Sequence, residues 1–306
     1  MDATELLFYF YICRLNVIDN YLIMIPSAYI RLVSENPLEV LQGILDVAQK
    51  GTAELNEGIM DMATESFSPL ARVGMVAYAK GLSCEAEGVI DVVRSDKLRR
   101  SALLARVEAY TRRDYLPLVD FPAQRAYDDE KAEAMSVYEN VAIRMFDIPN
   151  NVASCVRYVM DEIIDNITEH SGAKRGYVCI AGDRDSGVLD VCIADNGKTV
   201  LGSYEALQGN EISSDLEAMQ AANRGISTKN LPNAENRGYG ITTSRNMLVN
   251  GLGGTFLMIS GEAVHVSSPS VRRFVQLPEG YGICGTMVSI RIPYRNESFS
   301  YINYVE

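Results

Sequence analysis

Glu162, Asn166 and Glu169 fall at i, i+4 and i+7 of one long helical pattern, Asn151–His170, and so share a face. Another face of the same pattern is apolar: Val152, Cys155, Val156, Val159, Met160, Ile163, Ile164 and Ile167. A carboxylate and a carboxamide one turn apart suit a metal nucleotide. The amide oxygen of Asn166 is a hard ligand matched to Mg²⁺. The carboxylate of Glu162 can orient or deprotonate a water or a hydroxyl. Taken alone, the three residues read more simply as the solvated side of a surface helix.

Two further clusters bear on that choice. The apolar strand pattern Val191–Ala194 ends in Asp195-Asn196-Gly197. A strand-end aspartate can accept a hydrogen bond from the exocyclic amine of adenine, and glycine lets backbone approach the base; a plain Asn-Gly turn is the alternative. Then Gly238-Tyr239-Gly240-Ile241 opens a helical pattern running to Val249. The free first-turn N–H groups of such a helix form an anion site for nucleotide phosphates, although glycine also caps and turns. Gly253-Gly254 and Gly285-Thr286 begin strand patterns in the same region.

Glu-x-x-x-Asn, Asp-x-Gly, Gly-x-Gly and Gly-Thr, in that order, resemble the N, G1, G2 and final boxes of the GHKL superfamily. This superfamily includes gyrase, heat-shock chaperone, histidine-kinase and mismatch-repair ATPases. Asp161–Gly172 is similar to the N box of anti-sigma-factor serine kinases, and Gly225-Ile226-Ser227-Thr228-Lys229 resembles a stretch of their nucleotide lid. The resemblance covers residues 150–295. It implies a two-layer α/β sandwich of the Bergerat type, with a mixed, largely antiparallel sheet and ATP held between helices and lid. It also implies roles: Glu162 as general base, Asn166 as Mg²⁺ ligand, Asp195 on adenine and Gly197 shaping the base pocket. Thr228 and Lys229 would lie in the lid, Gly238, Tyr239, Gly240 and Ile241 around the phosphates, and Thr286 at the adenine end. One departure stands out: Thr199 occupies the place of the second glycine of the G1 box.

The implied activity is that of a serine/threonine protein kinase or ATPase in partner-switching signalling. The partner would be a regulatory protein, sigma-factor-like or antagonist-like, with homodimerisation in keeping with the family. The alternative is an ATP-gated protein-binding module with little or no catalysis. A sensor histidine kinase is disfavoured, because neither His170 nor His265 lies upstream of the motifs.

The elements that must position these residues differ between the two halves. The first half alternates strand and helix patterns, with helices expected over Pro37–Lys50, from Ser68-Pro69 to Gly81, and over Lys97–Tyr110, and a strand over Gly88–Val93. The succession from Asp61 onward weakly resembles a STAS domain, in which a serine at the start of the helix is phosphorylated. Ser68 is the nearest match, but it reads more simply as an N-cap ahead of Pro69. The proline-bearing stretch Tyr115–Tyr127 suggests a boundary, giving an α/β regulatory or STAS-like domain at 1–120, a linker and helix at 121–149, and the ATP-binding domain at 150–306. In the second half, hairpin strands are expected at Gly176–Ala181 and Val188–Ala194, and further strands at Thr255–Ser260 and Gly285–Pro293. Asp195–Gly238 reads as a long polar stretch.

The net charge of −12 argues against a nucleic-acid partner. The apolar run Leu6–Cys13 is too short to span a membrane. The six cysteines are scattered without a Cys-x-x-Cys pair, which reads as a reduced, cytoplasmic protein. Cys179 and Cys192 are placed to face each other across the hairpin, with core packing the simpler role.

Overall fold

The computed structural model describes residues 69–74, 92–95, 100–111, 114–207, 209, 211–226, 240–279, 282–295 and 299–304. The chain is mixed α/β. Eight strands form one sheet: β1 Val92–Arg94, β2 Leu118–Pro122, β3 Arg175–Asp183, β4 Val188–Asp195, β5 Thr255–Gly261, β6 Ala263–Ser267, β7 Arg272–Gln276 and β8 Ile283–Pro293. Their order is β1-β2-β3-β4-β8-β5-β6-β7. β1 and β2 are parallel, and every other neighbouring pair is antiparallel. Among the described residues, 69–74 are helical and six further helices accompany the sheet: α1 Arg100–Tyr110, α2 Asp128–Phe146, α3 Asn150–Asn166, α4 Val200–Glu205, α5 Asp215–Asn223 and α6 Gly240–Asn246. No helix among the described residues is long and apolar enough to cross a membrane.

The strands are apolar on both sides. Val178, Ile180, Val191, Ile193, Phe256, Met258, Val288 and Ile290 share one core with α2 and α3. The alternate residues Tyr177, Cys179, Cys192, Ala194, Leu257, Ile259 and Met287 are buried as well. Near-continuous apolar runs are expected of a sheet covered on both faces. Cys179 and Cys192 do pair across the β3–β4 hairpin, and both are free thiols buried in the core. Burial pushes the Cys179 thiol up to about 11, so it packs as a small hydrophobe.

The sheet runs across both boundaries suggested at 120 and 150. The stretch Tyr115–Tyr127 holds β2, which pairs with β3 through Val119↔Val178 and Phe121↔Gly176. Its prolines lie before the strand and at its last residue, where a missing N–H costs little. The ring of Phe121 fills the space that a side chain at 176 would need, so glycine there admits the aromatic. α2 ends at Asp147, which takes a left-handed φ of 52° and donates its N–H to the Ile143 carbonyl. Pro149 then opens α3. The seven apolar side chains Val152, Cys155, Val156, Val159, Met160, Ile163 and Ile164 seat α3 on the core, at about 1.5–3 kcal/mol for each large one. That seating turns its polar face toward the ends of β4 and β8.

His265, on β6, is fully buried, and neither ring nitrogen has a partner among the described residues. It stacks on Phe274 at 4.2 Å and tilts against Phe256 at 5.7 Å. Burial first, then Arg245 and Arg272, pull its pKa from 6.5 down to about 3. It therefore stays neutral and packs as an aromatic. A depressed folded-state pKa means that the unfolded chain binds the proton first. The stability is fully present above about pH 6.5 and is lost as pH falls toward 3. His265→Phe removes both orphan nitrogens. It is expected to stabilise the protein by about 1–3 kcal/mol near pH 5 and to flatten the acid side of a melting-temperature profile between pH 4 and 7. An unchanged acid side would contradict this.

Candidate functional site

A cavity of about 360 Å³ opens between α3, the N-terminal ends of α4 and α6, and a floor formed by β4, β5 and β8. Glu162, Asn166, Asp195, Gly240, Ile241 and Thr286, drawn from four elements, all line it. Gly197 lies two residues beyond Asp195, against the end of the α3 segment. Thr228, Lys229, Gly238 and Tyr239 lie outside the described residues, as does Ser68; of the segment compared with a STAS domain, residues 69–74, 92–95 and 100–111 are described.

Asp195 is the last residue of β4 and is 2% exposed. Its Oδ1 accepts the Gly197 N–H at 2.8 Å. Its Oδ2 is buried without a hydrogen-bond partner among the described residues. Burial raises the carboxyl pKa to about 7; the Gly197 N–H, then the nearby Thr286 N–H and Ser171 hydroxyl, act in the opposite sense. None of these groups closes a hydrogen bond on Oδ2. Gly285 makes the close approach possible. It has a φ of 76°, and a Cβ there would strike the carbonyl carbon and Oδ1 of Asp195, both at 2.7 Å.

Gly197 has a related duty. A Cβ on it would meet the backbone of Ser171 and Ala173, and the next residue, Lys198, donates its N–H to the Ser171 carbonyl at 2.7 Å. Glycine lets the loop after β4 run against the end of the α3 segment. Thr199, where the resemblance expects a second glycine, is the N-cap of α4: its Oγ1 accepts the Gly202 N–H at 3.1 Å. The departure thus reflects a helix start, and the loop does not need glycine there.

On the opposite wall, Asn166 donates its amide N–H to the Glu162 carbonyl at 2.6 Å. This bond uses the nitrogen end of the amide and leaves Oδ1 as the end available to a cation. The Glu162 carboxylate lies at the start of α6, where a Cβ on Gly240 would run into it. A carboxylate is favoured at a helix N-terminus, and only glycine leaves room for it. Beyond Asn166 the helix widens into a π-turn, Ile167–Ser171, a feature frequent at functional sites. Ser171 closes the turn, donating to the Ile167 carbonyl at 2.7 Å and accepting the Ala173 N–H at 3.0 Å. Ser203 of α4 donates to the His170 carbonyl at 3.1 Å. At the mouth, Glu169 lies 3.7 Å from both Arg125 and His170.

Ser260 carries no signal in the sequence, yet it ties three elements together. Its hydroxyl accepts the Val200 N–H at 2.9 Å, donates to the Gly285 carbonyl at 2.9 Å and lies 3.0 Å from the Thr286 hydroxyl. It thereby fixes α4 to β5 and β8 and sets Thr286 on the cavity wall. α4 and α5 also occupy part of the stretch read as polar loop between Asp195 and Gly238. They hold both flanks of residues 227–239. The Tyr204 hydroxyl donates to the Ile226 carbonyl, the Thr242 hydroxyl donates to the Asn223 carbonyl at 3.0 Å, and Arg245 donates to Asn223 Oδ1 at 2.9 Å.

Chemically, the cavity offers an apolar slot, an unpaired carboxylate oxygen at its floor, and a carboxylate with a carboxamide on the facing helix. No known protein family, curated protein or solved structure matches the chain.

Proposed function

We propose that the chain is an ATP-binding regulatory protein of the GHKL type, with a Bergerat-like fold, that acts as a serine/threonine kinase or ATPase in partner-switching signalling. The observation that carries this reading is the unpaired Oδ2 of Asp195. A buried acceptor on an otherwise apolar floor is costly, and the exocyclic amine of adenine answers it. Ile193, Met258, Val288 and Phe256 supply the flat apolar walls that a base requires. The antiparallel β4-β8-β5 floor and the order of motifs along the cavity support the same reading.

The residues present also fit Mg²⁺. Asn166 offers an amide oxygen beside the Glu162 carboxylate, and a magnesium ion uses few protein oxygens because phosphates and waters complete its shell. When bound, the ion would offset charge on the phosphates. Glu162 takes the proton from a water or a protein hydroxyl as that oxygen attacks the γ-phosphorus, and the bond to the ADP oxygen breaks. The start of α6 lines the same cavity. The partner that donates the hydroxyl, or that is held and released, is a regulatory protein of the sigma-factor or antagonist kind.

The test is to incubate the protein with saturating ATP and Mg²⁺, measure ADP, and map phosphoserine and phosphothreonine by mass spectrometry, Ser68 included. The expected result is Mg²⁺-dependent ADP formation. If ADP does not form and no phosphate is transferred, with or without added regulatory proteins, the catalytic reading fails.

A further inference from the structure

β7 is the last strand in the sheet order, so one of its edges is unpaired among the described residues. The hairpin with β6 fixes which backbone groups that edge presents. Ser268 and Val271 exchange both backbone bonds, at 2.7 and 3.3 Å, and at the far end the Leu277 N–H donates to the Glu262 carbonyl at 2.7 Å. In an antiparallel ladder such bonded pairs alternate with non-bonded ones. The register between these ends is unbroken, from Ser267↔Arg272 to Ala263↔Gln276, so the backbone groups of Arg273 and Val275 also turn toward β6. Those of Arg272, Phe274 and Gln276 turn away from it. Their N–H and C=O groups stand in a row on the open edge.

The side chains decide what kind of strand fits there. Phe274 stacks on His265 and anchors β7 to the core, while the other four residues of the strand are exposed. Arg272 and Arg273 have no acidic partner among the described residues, and Arg245 lies close enough to Arg272 for the two to repel. In a chain of net charge −12 this is a local excess of positive charge. Val271 and Val275 are two of the five large apolar side chains left exposed among the described residues. An open edge that carries exposed valines is a template for a further strand. The arginines repel a basic strand and attract an acidic one, because charges opposite each other across a strand pair interact directly.

We infer that the open edge of β7 is a docking site for an extended acidic segment of a partner protein, which adds to the sheet as a further strand. The backbone of that segment bonds to Arg272, Phe274 and Gln276. Its carboxylates lie against Arg272 and Arg273, and its apolar side chains against Val271 and Val275. Main-chain bonds supply affinity in this mode of recognition, and the side-chain pattern supplies selectivity. β7 contributes no residue to the cavity wall, so the inference stands apart from the nucleotide reading.

The probe is a dye-labelled peptide, Thr-Val-Thr-Glu-Glu-Val-Thr with blocked ends, and its counterpart with lysine in place of both glutamates. Run antiparallel to β7, it sets valines opposite Val275 and Val271 and the two charges opposite Arg273 and Arg272. Fluorescence anisotropy at low salt is expected to show the glutamate peptide binding wild type at least about tenfold more tightly than the lysine peptide. Backbone amide exchange is expected to slow at Phe274 and Gln276 and to change little at Arg273 and Val275, which already face β6. The double variant Arg272→Glu/Arg273→Glu is expected to reverse the preference. Gln276→Pro removes an outward N–H and no bond to β6, and is expected to weaken the glutamate peptide by about fivefold or more while the melting temperature stays within about 2 °C. The inference is overturned if the two peptides bind alike, if neither binds, or if Gln276→Pro binds as wild type does. Edge amides that slow with protein concentration alone would place a second copy on β7 and overturn it as well. If Gln276→Pro does not fold, wild type and the charge-reversed variant decide.

Discussion

Asp195→Asn is expected to fold normally and to bind adenine nucleotides about 10–100-fold more weakly than wild type. The expectation follows from one atom. Oδ2 is a buried carboxylate oxygen left without a partner among the described residues, and a hydrogen bond to a charged acceptor contributes about 1.5–3 kcal/mol. An asparagine rotated to keep its oxygen toward the Gly197 N–H presents an amide N–H₂ to the amine of the base, so donor meets donor. The pH dependence is a second signature. The carboxyl pKa is raised to about 7 by burial, and the amine requires the ionised form. ADP affinity in wild type is therefore expected to drop about tenfold from pH 8 to pH 6, and Asp195→Asn removes that dependence. Stability runs the other way. A carboxyl with a raised folded-state pKa holds its proton more tightly than the unfolded chain does. Its effect on stability is most favourable below about pH 4 and worsens as pH rises through 7. The ligand-free Asn variant is thus expected to melt at or above the wild-type temperature at pH 8. Wild-type affinity in Asp195→Asn would remove this residue from the site.

Glu162→Gln is expected to lower turnover by about 10²–10⁴-fold and to change ADP affinity by no more than about twofold. Glutamine keeps the size and hydrogen-bonding reach of the side chain beside Gly240, so α6 keeps its place, but it cannot take a proton from the attacking oxygen. The split matters more than the size of the loss. A residue that merely holds α6 against α3 would weaken binding and turnover together. Single-turnover phosphate release under saturating ATP and Mg²⁺ separates the two outcomes. Turnover within about fivefold of wild type would show that Glu162 is not the base.

Some of this site is legible before any coordinates. The i, i+4 spacing of Glu162 and Asn166 survives because an apolar stripe fixes which face of α3 turns inward. Asp195 is legible because an apolar strand that stops at Asp-Asn-Gly leaves its last side chain at the strand's end. The hairpin carrying it is readable from two apolar runs on either side of the turn-forming stretch Asp183–Gly187. The supporting residues were not. Ser171, Ser203 and Ser260 are single serines whose significance lies in partners 4 to 60 positions away. Thr199 breaks a familiar glycine pattern because a helix begins there, and α4 and α5 are short enough for their polar residues to read as loop. β7 is hard to read because only Phe274 among its residues is half-buried, which leaves no apolar alternation. β2 was hidden by its flanking prolines.

The central claim is that the cavity between α3 and the β4-β8-β5 floor receives an adenine nucleotide with magnesium. Calorimetric titration of the wild-type chain with ATP at pH 8, with and without Mg²⁺, tests it most directly. Saturable binding with one site per chain, tightened by Mg²⁺ and competed by ADP but not by GDP, is the predicted result. Absence of binding at millimolar ATP, or equal binding of adenine and guanine nucleotides, would contradict it.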